Sequence, residues 1–153
     1  MTTPSSDLSF WKNRRVLITG QTGFKGSWLT LLLLNLGANV YGISLPPASI
    51  PGKFRPLYES LSLDFKLDSK SFIGDIRDRL ILEKVLLESK PEIVFHLAAQ
   101  SLVKRSYLNP IYTWETNTIG TLNILESLKE LKKKLDLDLL HCQLMQQLFL
   151  LFP

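Results

Sequence analysis

The chain has a single cysteine, Cys142, and two histidines. One thiol cannot form an intrachain disulfide and cannot build a thiolate metal site, so a disulfide scaffold and a zinc-ribbon-like fold are both excluded. No residue is assigned to a metal, and a reducing cytoplasmic setting is expected. Long apolar runs are also missing. The oiliest stretch, residues 135–153, is interrupted by Asp136, Asp138, His141 and three glutamines, and falls short of the about 20 apolar residues of a membrane span. Positive charge lacks concentration: the net charge is +4, and Lys and Arg cluster only at Arg14-Arg15 and Lys132-Lys133-Lys134. Clusters of that size belong to ordinary solvated surfaces, so nucleic acid is not an expected partner. Thr2 to Ser9 is polar, with no basic segment leading into an apolar one, so no secretory leader is expected.

What is present is ordinary globular composition: 153 residues, 45% hydrophobic and 21% charged, room for one domain with a sizeable core. The organising stretch is Val16-Leu17-Ile18-Thr19-Gly20-Gln21-Thr22-Gly23-Phe24-Lys25-Gly26-Ser27-Trp28. A short apolar run ends in Thr19-Gly20, glycines follow at every third position, and a strongly apolar segment begins at once. That order predicts strand, tight turn and helix. Gly20 lets the chain turn off the strand, Gly23 leaves backbone open to a pyrophosphate, and Gly26 lets the helix sit close to the sheet. The first helical turn then presents unpaired N–H groups and the positive end of its dipole to the anion. A glycine-rich turn without a ligand is the alternative for the triplet alone; the strand before it and the helix after it favour the dinucleotide.

Residues 1–13 form a lead-in in which Phe10 and Trp11 pack under the sheet edge, 14–134 an α/β domain, and 135–153 a divergent apolar tail. Strands are predicted at 16–19, 39–44, 71–74 and 92–97. Helices are predicted at 24–36, from the cap Asp78 to Ser89, and from the cap Asn109 with Pro110 in the first turn to about Lys134. The first helix carries too many apolar residues for one stripe and should be covered on most sides, with Gly37 closing it. The segment 45–70 is expected as a long loop with a short helix near 57–61, and 98–108 as a second loop. Gly120, inside the long helix, costs about 1 kcal/mol relative to alanine and implies a close backbone contact. Strands alternating with helices give a Rossmann-like doubly wound parallel sheet, incomplete at about four to five strands, with no second domain.

Candidate binding residues follow from that topology. Asp75 and Ile76 lie past a strand end, where a carboxylate can accept from an adenine amine while the isoleucine covers the ring; helix-start electrostatics, shared with Asp78, is the alternative. Leu97, Ala98, Ala99 and Gln100 end the fourth strand, where small residues let a flat ligand lie against backbone; alanines packing a crowded loop are the alternative. Asn117 is polar within the long helix and either binds a backbone group or water near the ligand, or is simply exposed. His96 is expected as a hydrogen-bonded core residue. Lys104 and Arg105 either face a phosphorylated substrate or are solvated. Ser44 ends strand two where many dinucleotide sites place an acid on the ribose, so NAD and NADP are not separated there.

The Gly-x-x-Gly-x-x-Gly spacing resembles that of short-chain dehydrogenase/reductases. Together with Phe10-Trp11, Gly23-Phe24-Lys25-Gly26-Ser27-Trp28, Tyr41-Gly42-Ile43-Ser44-Leu45, Gly74-Asp75-Ile76-Arg77-Asp78 and Pro91 through Val103, it resembles the amino-terminal half of the CDP-glucose 4,6-dehydratases, in the NAD-dependent epimerase/dehydratase branch of the extended family. The resemblance covers about residues 10–131. It implies a bound NAD, with Thr22, Gly23, Phe24 and Lys25 around the pyrophosphate, Asp75 and Ile76 at the adenine, and Leu97, Ala98, Ala99 and Gln100 along the ribose. Ser44 stands where that family tolerates a non-acidic residue, which favours NAD and leaves NADP open. The implied substrate is a sugar nucleotide, CDP-glucose. The long helices of the family commonly pair, so a homodimer is the oligomer it implies.

Family members oxidise the sugar at C4, eliminate water across C5 and C6, and return the hydride at C6, using a tyrosine whose pKa is lowered by a lysine four residues later. Four residues after Tyr41, Tyr58, Tyr107 and Tyr112 stand Leu45, Ser62, Ile111 and Thr116, and none is lysine. No catalytic residue is therefore assigned. The resemblance stops near Lys134, and a truncated or frameshifted coding sequence is the expected cause. The expected function is the NAD-binding portion of a CDP-glucose 4,6-dehydratase-like protein, inactive alone. The alternative is a non-enzymatic remnant acting as an interaction or dinucleotide-sensing protein.

Overall fold

The structure, a computed structural model, describes residues 8–47, 55–135 and 141–144. Its centre is a parallel five-stranded sheet built from β1 (Arg15–Thr19), β2 (Asn39–Ser44), β3 (Ser71–Ile73), β4 (Ile93–His96) and β5 (His141–Leu144), in the order β3-β2-β1-β4-β5. Val16 pairs with Val40 on one side and with Ile93 on the other. This is the strand order of doubly wound dinucleotide-binding sheets, in which the order of the strands reverses between β1 and β4 and leaves a crevice at their carboxyl ends.

Helices cover both faces, and β1 shows why. Side chains alternate along a strand, so Val16 and Ile18 enter one core and Leu17 the other. Val16 and Ile18 pack with Leu33 of α1 (Phe24–Asn35), Tyr58 of α2 (Leu57–Ser60) and Leu63 and Leu67 of α3 (Leu63–Leu67). Leu17 packs with Leu82, Val85 and Leu86 of α4 (Arg79–Ser89) and with Ile124, Leu128 and Leu131 of α7 (Gly120–Leu135). Trp11 lies against the first cluster, its ring 6.1 Å from that of Phe95, while Phe10 stays half exposed.

Several local expectations need correction. α1 is not covered on most sides among the described residues: its buried positions are Gly26, Ser27, Thr30 and Leu33, whereas Phe24, Trp28 and Leu32 are at least half exposed. Small residues let the helix approach the sheet, and the Ser27 hydroxyl loses nothing by burial because it donates to the Gly23 and Gln21 carbonyls. The stretch expected as a loop at 98–108 contains α5 (Val103–Leu108). The segment expected as one long loop contains α3 besides the short helix near 57–61, and both face the core; its residues 48–54 lie outside those described.

The long helix starts as expected, with Asn109 Oδ1 accepting from Tyr112 N and Pro110 in the first turn of α6 (Pro110–Trp114). A π-helical turn, Glu115–Ile119, then joins α6 to α7. Gly120 follows it, and a Cβ there would lie 2.6 Å from Cδ1 of Ile76, so the close neighbour is a side chain and not backbone. Of the expected tail, residues 136–140 and 145–153 lie outside those described, and 141–144 form β5 beside β4. Among the described residues no helix is long and apolar enough to cross a membrane.

Candidate functional site

The turn after β1 is formed by backbone. Gly20 has φ +78°, its N–H donates to Ile43 O at 2.8 Å, and a Cβ on it would lie 2.8 Å from the amide nitrogen of Ala98. The Gly23 N–H returns to Gly20 O at 3.0 Å, and a Cβ on Gly26 would overlap that same carbonyl oxygen. No side chain caps α1 at Gly23, so the first-turn amides have no intrahelical acceptor and face outwards with the positive end of the dipole.

Above this turn opens a cleft of about 540 Å³ at the carboxyl ends of β1, β2 and β4. Every residue named from sequence for the cofactor lines it, with one exception: Gly20, Thr22, Gly23, Phe24, Lys25 and Gly26 from the turn, Ser44 from β2, Asp75 and Ile76 after β3, and Leu97 to Gln100 after β4. The exception is Asn117, which is buried and holds the wall in place. Its Oδ1 accepts from Gln100 N at 2.8 Å and its Nδ2 donates to Gln100 O at 3.1 Å. Of the two readings of Asn117, the backbone partner is the one observed.

The residues lining the cleft are held by short polar contacts. Ser44 Oγ donates to Thr22 Oγ1 at 2.9 Å, and the Thr22 hydroxyl donates to Leu45 O, tying the turn to the end of β2. Thr19 Oγ1 accepts from the amides of Leu97 and Ala98 and lies 2.6 Å from His96 Nδ1. His96 Nε2 in turn contacts Thr121 Oγ1 at 2.9 Å, and Thr121 donates to Asn117 O. His96 is fully buried, and desolvation pushes its pKa down to about 4. It is the hydrogen-bonded core histidine the sequence suggested, and it is uncharged at neutral pH.

At the far end of the cleft the Arg77 guanidinium grips Asp75, with Nη2 2.7 Å from Oδ2 and Nε 3.1 Å from both oxygens, and its other arm reaches Glu115 at 3.2 Å. It also lies over the Tyr112 ring, 4.5 Å from the centroid. Hydrogen bonding from Arg77 holds the Asp75 carboxyl below its ordinary pKa despite partial burial. The cap of α4 is Asp78, which accepts from Leu80 N and Ile81 N, so Asp75 is not needed for it.

Sequence reasoning missed Tyr112 and Thr116 as lining residues and left Arg105 undecided; all three line the cleft, whereas Lys104 does not. The helical segments of Arg105 and Tyr112 were visible only as a loop and a helix start. Thr116 precedes Asn117, and that adjacency was the available signal.

The model of the GDP-mannose 4,6 dehydratase family matches residues 17–143. The chain belongs to that family. Its match runs past Lys134 into β5, beyond the point where the resemblance in the sequence stops. The chain is 48% identical over 124 residues to CDP-glucose 4,6-dehydratase of Salmonella typhimurium, covering 81% of this chain and 33% of that protein. It is 37% identical over 127 residues to GDP-mannose 4,6 dehydratase of Homo sapiens, covering 82% and 34%. Among solved structures it resembles an epimerase of Methanothermobacter thermautotrophicus, with a TM-score of 0.63 and 29% identity over 81% of this chain and 34% of that one. It also resembles the UDP-glucose 4-epimerase of Thermus thermophilus in complex with NAD, with a TM-score of 0.60 and 29% identity over 76% and 34%. The chain spans about a third of the length of these relatives of the GDP-mannose 4,6 dehydratase family.

Proposed function

We propose that this chain is the NAD-binding portion of a sugar-nucleotide 4,6-dehydratase acting on CDP-glucose, and that it does not complete the reaction alone. The observation that carries the binding half is the glycine turn. Gly20 backs onto the Ala98 amide, Gly26 onto the Gly20 carbonyl, and the uncapped amides of α1 face the cleft. Such a seat suits a diphosphate, because main-chain donors and the helix dipole act together and side chains keep out of the way. The residues present fit the dinucleotide: the turn and α1 take the pyrophosphate, Ser44 stands by the ribose, and Asp75 and Ile76 border the adenine end.

Bound NAD would supply the acceptor for hydride from C4 of the sugar and the donor that returns it to C6. This chain's own residues orient it. Thr19, through the amides of Leu97 and Ala98, sets the β4 rim against which a flat ligand lies. Ser44 offers a hydroxyl, and without an acid there is no charge repulsion of a 2′-phosphate; the likeness to the UDP-glucose 4-epimerase of Thermus thermophilus in complex with NAD supports NAD as the partner, with NADP as the competitor to test. The lack of any Tyr-x-x-x-Lys pair supports inactivity of this portion by itself.

Calorimetric titration with NAD of the wild type and of Gly23→Val tests the first half. Gly23 lines the cleft, and its Cβ has only the Gly20 carbonyl nearby, at 3.3 Å, so a valine enters the phosphate seat. Binding is expected for the wild type and a loss of at least about tenfold for the variant, the equivalent of about 1.4 kcal/mol. Equal affinities would refute the seat. An assay for the 4-keto sugar product tests the second half, and turnover by the purified chain would refute inactivity.

A second reading, association with another chain, has its own observation. Leu108 and Ile111 are more than 70% exposed, and Trp114 and Leu122 about half exposed, on α5, α6 and α7. Apolar exposure of that kind favours a partner surface, a second copy included. Gel filtration discriminates: a monomer that binds NAD supports the first reading alone, and aggregates insensitive to NAD support the second.

A further inference from the structure

Gln21, the second residue of the glycine turn, is fully buried and is not among the residues that line the cleft. The path of its side chain is set by a glycine in the middle of β2. Gly42 pairs with Ile18 of β1 on one side and with Ser71 of β3 on the other, and a Cβ on it would lie 2.5 Å from both Cγ and Cδ of Gln21. A glycine inside a strand marks a place where another group comes close. Here that group is the Gln21 stem, which crosses β2 and ends with Nε2 3.5 Å from Ser71 Oγ. Ser71 Oγ is in turn 2.9 Å from the hydroxyl of Tyr58 on α2.

Stability alone does not account for this side chain. Gln21 Oε1 is buried with no hydrogen-bond partner, and a buried acceptor left unmade is costly. The contact of Nε2 with Ser71 is at the long limit for a hydrogen bond. What the side chain does reach is the strand that carries the far end of the cleft: β3 continues through Gly74, whose N–H donates to Ser44 O at 2.9 Å, into Asp75 and Ile76. The other ties of the turn, from Gly20 N to Ile43 O and from Thr22 Oγ1 to Leu45 O, stop at β2. Gln21 goes one strand further, from the phosphate seat, through the gap at Gly42, to β3.

We propose that Gln21 is a positioning residue that holds the phosphate-binding turn at a fixed distance from β3, so that one dinucleotide reaches the pyrophosphate seat and the adenine end together. The assignment rests on the NAD-binding reading above. Gln21 itself does not reach the cofactor; it acts through the two ends it spaces. A ligand that occupies both ends gains from their connection only when their separation matches its own length. Loosening the spacing therefore weakens NAD without weakening a ligand held at one end. Gly42 belongs to the same device, because a side chain there would expel the Gln21 stem.

Four variants, read by calorimetry and thermal unfolding, test the assignment. Gln21→Ala removes the stem and should bind NAD at least about fivefold more weakly, while adenosine monophosphate, which reaches the adenine end only, should bind within about twofold of wild type. Gln21→Met keeps the length of the stem and drops the orphaned amide, so it should hold NAD affinity within about twofold of wild type and melt no lower. Gly42→Ala should melt at least about 3 °C below wild type and lose NAD affinity at least about fivefold. Adding Gln21→Ala to Gly42→Ala should raise the melting temperature above that of Gly42→Ala, because the methyl then fills space the stem has left, but should not restore NAD affinity, because the tie stays absent. NAD affinity unchanged in Gln21→Ala, NAD and adenosine monophosphate weakened equally in it, affinity lost in Gln21→Met, or affinity restored in the double variant overturns the proposal and leaves the dinucleotide reading standing. Failure of the wild type to bind NAD removes both.

Discussion

Thr19 Oγ1 and His96 Nδ1 lie 2.6 Å apart at the end of the two central strands, and Thr19 Oγ1 also accepts from two amides of the β4 rim. With both rim amides donating to it, the hydroxyl directs its own proton to Nδ1, which leaves Nε2–H to donate to Thr121. The arrangement requires a neutral imidazole, because a second ring N–H would face an oxygen whose acceptor sites are filled.

Acid should therefore weaken the fold through His96. Its pKa falls from 6.5 to about 4 on folding, with burial as the cause. The stability tied to neutrality is complete above pH 6.5 and is lost progressively as the pH falls towards 4, because the unfolded chain takes up the proton first. The shift corresponds to about 3 kcal/mol at most. Asp75 and Glu92, with pKa values held below the ordinary 3.8 and 4.5 by Arg77 and by the Arg15 amide, lose their contribution only below about pH 4.5. Urea unfolding between pH 6.5 and 4.5 thus avoids those two carboxylates, and the difference between wild type and His96→Gln, which should have a flatter dependence over that interval, reads the contribution of His96. A slope unchanged by the substitution would sink the assignment.

The glycine turn gives a sharper test, because Gly20 and Gly37 share a backbone conformation but not an environment. Their φ values are +78° and +80°, yet a Cβ on Gly20 would lie 2.8 Å from the Ala98 amide, whereas one on Gly37 would lie 3.7 Å from the nearest atom, on the Lys12 side chain. Gly37→Ala should cost only the left-handed penalty, about 1–2 kcal/mol. Gly20→Ala should cost at least about 1 kcal/mol more, since strand β4 must shift to relieve the overpacking. Equal losses in urea unfolding would mean that the close approach of the turn to β4 is wrong.

This contrast also marks what the sequence could reveal. Gly20, Gly23 and Gly26 were legible because a glycine reports a backbone requirement by itself, and Val16 to Ile18 because a strand buried on both faces is apolar at every position. α1 misled because its interior face is Gly26, Ser27 and Thr30, small residues suited to close approach, while Phe24, Trp28 and Leu32 stay outside. Hydrophobicity counts transfer from water and is blind to the distance between helix and sheet. The π-helical turn at Glu115–Ile119 has no composition signature, so it was invisible. Asp75 was placed at the cleft from its position after a strand, but its tether to Arg77 and the Tyr112 ring depends on contacts between separate elements.

Asn117 should act as a positioning residue for the β4 rim. Asn117→Ala leaves the buried N–H and C=O of Gln100 without these partners, at about 2–4 kcal/mol for two orphaned groups. NAD affinity should fall as a consequence, because Gln100 lines the cleft. Stability and binding should thus decline together, measured by thermal unfolding and calorimetry. Retained stability in Asn117→Ala would show that the rim does not depend on it.

Ser44 decides how the site treats a 2′-phosphate. It is 5% exposed at the end of β2, lines the cleft, and directs its proton to Thr22 Oγ1 or the Leu45 carbonyl. In sites of this topology an acid at the strand end binds the ribose hydroxyls and repels the phosphate of NADP. Ser44→Asp should therefore lower NADP affinity relative to NAD by at least about tenfold, since two like charges in a partly dehydrated cleft repel by more than about 1.4 kcal/mol. Ser44→Ala removes the hydroxyl without adding charge and should leave the ratio of the two affinities within about twofold of wild type. Both ratios come from competitive calorimetry of one protein preparation, so a general loss of stability cancels. An unchanged NADP to NAD ratio in Ser44→Asp would place the ribose away from β2, and with it the direction in which the dinucleotide lies across the sheet.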